Sequence, residues 1–418
     1  MKLHAIAQPR QEPWPSPLRE ALQNSGWPAA VEGDPGLEVN VSGADAAAGQ
    51  AWLELGQGLE GWERASISAR LQPPGGGTPS SPTGEQTQVV PGRDPAELAK
   101  LRDLNGTGVR AALLKLLSTP PPVAAAVSAG LERDSEPALI VVHGGARRFA
   151  HLDVQADARL SVFETVRTLA AGGAALQGLA FEVQCPVECD AAAVREGARL
   201  VRGLAEGSSA LGAKAWVNLV SSPERVFSFR VAAVGESVAR KMASGATVQG
   251  AGDKLFLLGE APVEIGGTWF LAAVHGQRAG DVPAIEGAQE RRLNDVLLTL
   301  SKAGVVSAAR GLAAGGLLVA TLDLLLAPGA DLGVRLDLTS VGGSRADALL
   351  FGESQGRAVL AVPAARVGTV LSEAHMRGVP AALIGEVTAE GKFDLKTRSL
   401  ATDWPMAELA ALRRRARP

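Results

Sequence analysis

Glu353, Ser354, Gln355 and Arg357 put an acid, a hydroxyl, an amide and a guanidinium inside five consecutive positions. Gly352 and Gly356 let the backbone bend around them. Two apolar runs, Leu349-Leu350-Phe351 and Ala358 to Val362, flank this polar insert. Its plain structural reading is an ion pair, Glu353 with Arg357, closing a strand–turn–strand corner; its functional reading is a ligand-binding loop. His143, followed by Gly144-Gly145 and then Arg147-Arg148, places an imidazole and two cations at a strand end where they could meet a phosphate. A hydrogen-bonded loop histidine is the alternative there. Asp153 and Asp157 read as a carboxylate pair or as caps for a helix starting near Ser161. Glu164 and Arg167, one helical turn apart, suit a surface or interdomain ion pair. Glu264, just before Gly266-Gly267, suits a nucleotide contact or an ordinary loop acid.

Other groups are weaker. Asn105-Gly106-Thr107-Gly108 lacks the Lys-Ser/Thr pair of a phosphate loop and reads as a helix cap. Cys185 and Cys189, the only cysteines, would need two more ligands for zinc and read as reduced structural thiols. His275 and His375 have no neighbours of metal-ligand type, and a structural role is expected for each.

The elements that must position these groups alternate between helix and strand. Ala138 to Val142 and Ala358 to Val362 read as buried strands, and Trp216 to Val220 and Phe227 to Val234 as strands joined by a turn at Ser221 to Glu224. Leu255 to Leu258 is a further strand, and Ala381 to Val387 with Lys392 to Lys396 reads as a hairpin. Helices are expected over Val109 to Leu117, Ser161 to Ala171, Ala191 to Leu204, Ala288 to Ala303, Gly316 to Leu326 and Ala365 to Met376. In the N-terminal part, Pro17 to Gln23 reads as one or two helical turns, Leu37 to Val41 as a strand and Ala46 to Leu55 as a helix. The domain scheme is an N-terminal segment of unassigned type (1–71), a Pro/Gly-rich linker (72–94), a helical lead-in (95–135), an α/β domain (136–247), a second α/β domain (252–405) and a basic C-terminal helix (406–418). Each α/β sandwich is expected to carry one helical layer.

Composition narrows the function class. Hydrophobic residues make up 46% of the 418 positions and charged residues 20%, with a formal net charge of −3. That is a globular composition with no basic footprint for nucleic acid. Arg413-Arg414-Arg415 is a local exception, read as the solvated end of a last helix where cations suit the dipole. No apolar run is long enough to span a membrane and no signal pattern opens the chain, so no membrane partner and a cytoplasmic location are expected.

The stretch Phe351-Gly352-Glu353-Ser354-Gln355-Gly356-Arg357 with its following strand resembles the hallmark of phosphoribosylformylglycinamidine synthase, in the aminoimidazole-ribonucleotide-synthetase-like superfamily. Further stretches are similar to that family in the same order. They are Val162 to Leu169, Gly252 to Gly259, Glu264 to Leu271 and Gly304 through Gly315-Gly316-Leu317. The resemblance implies an α/β (α+β) fold with a sheet-dimerising N-domain and an α/β C-domain. It implies ATP with magnesium as cofactors of the family, a homodimer, and a glutaminase-type subunit as a further partner. The residues it assigns to cofactor binding are Glu353, Arg357, Gly266, Gly267, Gly315, Gly316 and His143; no catalytic or metal residue is assigned.

Departures from the family pattern fall on its charged chemistry. Where the family carries a histidine, two aspartates and two serines before its double glycine, this chain has Arg310, Gly311, Ala314, Ala308 and Ala313. Trp269 replaces a glutamate. Metal–phosphate chemistry needs hard oxygen ligands, and this turn has none. The expectation is therefore a family member that has lost catalysis and acts as a binding or scaffold protein. The alternative is an active ATP-dependent ligase of purine biosynthesis with a rearranged site. A twofold dimer is expected through an exposed edge strand such as Phe227 to Val234.

Overall fold

The computed structural model describes residues 2–6, 16–25, 37–42, 47–48, 50–51, 66–70, 104–120, 126–131, 138–145, 148–238, 248, 250–261, 264–284, 286–326, 332–342 and 345–416. The linker expected over 72–94 lies outside them. A small sheet near the N-terminus has the order β3-β1-β2-β7, from β1 (Lys2–Ile6), β2 (Leu37–Ser42), β3 (Ser66–Arg70) and β7 (Glu188–Asp190). Helix α1 (Ser16–Asn24) lies between β1 and β2 in the chain.

A five-stranded sheet follows, from β4 (Ala126–Leu131), β5 (Leu139–Gly144), β6 (Ala174–Pro186), β8 (Ala215–Ser222) and β9 (Ser228–Ser237), in the order β4-β5-β9-β6-β8. Only β6 and β8 run parallel. Alternation along β6 sends Leu179, Phe181, Val183 and Cys185 into a core with helices α3 (Val154–Ala171) and α4 (Ala191–Ala210). Ala180 faces the opposite side. The strand expected at 227–234 is central, between β5 and β6, so it offers no edge for pairing; the edges are β4 and β8. Helix α3 begins about two turns earlier than the sequence suggests. Asp153 is its N-cap, accepting from the amides of Gln155 and Ala156, while Asp157 is buried and accepts from Phe149 N at 2.8 Å. The two acids thus form no pair.

The third sheet has seven strands: β10 (Lys254–Leu258), β11 (Ala308–Gly311), β12 (Gly333–Asp337), β13 (Ala358–Val362), β14 (Ala381–Thr388), β15 (Lys392–Lys396) and β16 (Ala401–Pro405), in the order β11-β13-β10-β14-β12-β15-β16. The expected hairpin of β14 with β15 does not form. β12 inserts between them, antiparallel to β14 and parallel to β15. Helices cover both faces rather than one. On one side lie α2 (Gly106–Leu117), α5 (Trp269–His275), α7 (Gly316–Leu325), α8 (Ala346–Phe351) and α10 (Met406–Arg415). On the other lie α6 (Gly287–Lys302) and α9 (Val367–Met376), together with the end of α3. Burial on both faces explains why β13 is apolar at every position. Asn105 caps α2, its side chain accepting from Gly108 N at 2.7 Å. Both cysteines are buried thiols outside any disulfide, and Cys185 Sγ donates to Val183 O. Among the described residues no helix is long and apolar enough to cross a membrane.

Candidate functional site

The polar insert sits between helix α8 and strand β13, so the corner is helix–turn–strand, and its acid looks away from its own guanidinium. Glu353 Oε2 accepts from Arg148 Nη1 at 2.7 Å, while Oε1 accepts from Trp269 N at 2.8 Å and Gly315 N at 3.0 Å. Arg357 instead closes its own loop, donating from Nε to Ser354 O (3.0 Å) and from Nη2 to Gly352 O (2.6 Å). No direct Glu353–Arg357 bond forms. Arg148 also holds Glu164 of α3 in a short contact, so one guanidinium bridges two carboxylates.

A second bridge runs beside the first. Arg167 of α3 donates to Glu290 Oε2 of α6 and to Gln355 Oε1, each at 2.7 Å, and to Leu312 O at 3.2 Å. Glu164 thus pairs with Arg148 of its own expected domain, Arg167 reaches Glu290 of α6 in the other, and neither lies on the surface. Arg148, Arg167 and Arg357 stand against Glu164, Glu290 and Glu353, all buried. Arg148 and Arg167 are each held by buried carboxylates, the condition under which such charges can be taken out of water at all. The cluster joins the α3 side of the five-stranded sheet to the α6 and β13 side of the seven-stranded one.

Burial sets the titration of these groups. It pushes Glu353 and Glu290 above the ordinary glutamate range, against the pull of Arg148 and Arg167 respectively. Burial alone would lower Arg148, but Glu164, Glu353 and Asp157 outweigh it and hold the guanidinium above its usual value. Three donors converging on the Glu353 oxygens are the environment of an anion, so we assign the pair as ionised. Arg357 is lowered to about 10 by burial, with Glu264 opposing.

The glycines singled out in the sequence line the same seam. A Cβ on Gly316, whose φ is +64°, would stand 2.7 Å from Gly352 O, and one on Gly267 would strike the rings and methyls of Phe149 and Leu152. Gly266 lies equally close to the Asp281 backbone, and Gly315 supplies one of the amides on Glu353. Glu264 accepts from Ser354 Oγ. Their close approach is between protein segments. His143 is elsewhere, its Nε2 3.0 Å from Ser25 Oγ, and lowered by burial and by Arg230.

Arg310, in the stretch lacking oxygen ligands, lies on β11 and points to Asp323 at 3.9 Å; Arg413 grips that carboxylate with two 2.8 Å bonds. Arg413 is thus anchored, not solvated as the end of a basic tail. A cleft of about 180 Å³ opens beside the insert, lined among others by Glu260, Glu264, Gln289, Arg292 and Ser354. That is below the ~300–1,000 Å³ usual for small-molecule sites. Among the described residues no three His, Cys, Asp or Glu side chains are grouped to hold a metal.

Glu290 was not recognised from the sequence. The signal was present: Glu290 shares the buried face of α6 with Leu293, Asn294 and Leu297, and a charge on an apolar stripe requires a buried partner.

This architecture has known counterparts. Residues 250–398 match the family "AIR synthase related protein, C-terminal domain". The fold is that of PurL and AIR synthase: Thermotoga maritima PurL complexed with FGAR superposes with a TM-score of 0.59 at 18% identity, over 72% of this chain and 53% of that one. PurLQS from Thermotoga maritima gives a TM-score of 0.53 at 18% identity, covering 75% and 53%. In sequence the chain is 35% identical over 180 residues to phosphoribosylformylglycinamidine synthase subunit PurL of Symbiobacterium thermophilum, 40% of this chain and 23% of that protein. The chain's C-terminal half is PurL-like and carries the AIR synthase related C-terminal domain over residues 250–398. The chain spans about a quarter of that relative's length and about half of the solved chains.

Proposed function

We propose that this PurL-like chain is non-catalytic and works as a binding or scaffold protein. One observation carries the reading: the carboxylate at the heart of the family-like motif, Glu353, is 1% exposed with both oxygens engaged by three protein donors. A carboxylate so saturated is not free to ligate magnesium. The residues before Gly315 do not fit an Mg-nucleotide either, since a cation, Arg310, stands there and the nearby Asp323 carboxylate is held by Arg413. Glu353 and Arg357, together with Gly266, Gly267, Gly315 and Gly316, then serve to weld the two sheets' layers, and His143 to hold the N-terminal helix. The expected result is an unchanged melting temperature on adding Mg-ATP. A clear shift, or conversion of formylglycinamide ribonucleotide with ATP and ammonia, would sink the reading and favour the active ligase.

The binding partner we propose is a glutaminase-type subunit in the cytoplasm, on the fold likeness to PurLQS. Mixing the purified chain with such a subunit should give a co-eluting complex on gel filtration; separate elution at micromolar concentration would remove that partner.

A further inference from the structure

The cleft beside the polar insert carries both signs of charge on its walls. Arg292 comes from α6, and Glu260 and Glu264 come from the loop after β10; all three line the same space of about 180 Å³. Among the described residues no ion pair joins Arg292 to either acid, and Arg292 holds no other carboxylate. Glu264 accepts from the Ser354 hydroxyl with one oxygen and keeps the other for a further donor. Gln289 of α6 has a single long contact, from Glu286 N to its oxygen at 3.5 Å, so its NH2 group is left to donate. Gln355 differs, because Arg167 holds its oxygen and Glu353 O takes its NH2.

The rest of the lining is uncharged. Leu293 and Val379, both buried, give the cleft an apolar patch. Gly259 and Gly356 meet at backbone distance: a Cβ on Gly259, whose φ is +95°, would stand 2.2 Å from Gly356 O. No side chain can therefore be added at Gly259 without moving the cleft's own wall.

We propose that this cleft binds an α-amino acid, its ammonium at Glu264 and Glu260 and its carboxylate at Arg292 with the Gln289 amide. This names a ligand for the binding role proposed above and rests on it. A phosphate ligand meets two carboxylates against one guanidinium, and a simple cation meets Arg292. A zwitterion gives each wall its opposite charge and each charged group a hydrogen-bond partner. The volume is too small for a nucleotide and leaves room for a short side chain, which Leu293 and Val379 would cover.

The test is titration calorimetry on the full chain with glycine, L-alanine, L-serine and L-glutamine in turn. At least one should bind saturably at one site per chain. Ethylamine, which lacks the carboxylate of alanine, and propionate, which lacks its ammonium, should give no saturable heat. Arg292→Ala and Glu264→Gln should each weaken binding about tenfold or more. Arg291→Ala, one position away and outside the lining, should leave it unchanged. Failure of all four amino acids overturns the proposal, as does equal binding of either analogue or full affinity in a folded Arg292→Ala. If circular dichroism shows Arg292→Ala unfolded, Glu260→Gln at the exposed rim decides: weakened binding supports the site and unchanged binding refutes it. The Mg-ATP melt is read separately. A shift there removes the non-catalytic role without touching amino-acid binding, whereas absent amino-acid binding with an unshifted melt removes this site alone.

Discussion

Replacing Glu353 by glutamine tests the welded seam with the smallest change of shape. The amide offers one oxygen where the carboxylate offers two. If that oxygen keeps the amides of Trp269 and Gly315, its NH2 faces the Arg148 guanidinium, donor against donor. If it turns to Arg148, the NH2 faces two backbone N–H groups. Either way a buried donor loses its acceptor and Arg148 loses one of its two carboxylates. Breaking a buried pair from one side costs about 3–5 kcal/mol. Because Glu164 remains on Arg148, the low end applies, about 3 kcal/mol. The control is Arg335→Ala at the exposed pair with Glu386, where the side chains are 52% and 34% exposed. There the loss should stay under about 1 kcal/mol. Urea unfolding of both variants, comparing midpoint and slope of the first transition, reads the difference directly. A Glu353→Gln loss no larger than the control's would show that the cluster does not hold the two layers together.

Gly316→Ala should lower the melting temperature clearly. A non-glycine residue at φ +64° costs about 1–2 kcal/mol before its Cβ meets Gly352 O at 2.7 Å; an unchanged melt would refute the packing role. Asp323→Ala leaves Arg413, whose side chain is 11% exposed, without its acceptor, so amide exchange across 406–415 should rise while that of β13 stays slow. Cys189, raised from 9.0 to about 11 by burial and by Asp190, should resist thiol reagents in the folded chain at pH 8 and react on unfolding. Its folded value lies above the unfolded one, so the contribution is intact below pH 9 and stability falls as pH rises from 9.0 towards 11; a pH-independent stability there would contradict the assignment.

The sequence by itself determined the elements whose pattern is local. Ala358 to Val362 is apolar at each position because both faces of β13 are covered, and Asn105 announces the start of α2 by capping it. The order of family-like stretches likewise carried the superfamily and the α/β class. The tertiary structure decided the partners. Glu353 has a guanidinium four residues away, yet its own partner Arg148 lies 205 positions earlier, and Arg167 finds Glu290 across 123. Strands β14 and β15 are near neighbours in the chain, which suggests a hairpin, but β12 supplies a better buried position between them. Hydrophobic burial repeats with the period of the helix or strand and is written in every few residues. A buried charge is satisfied by whichever opposite charge the packing brings near, and no spacing along the chain encodes that choice.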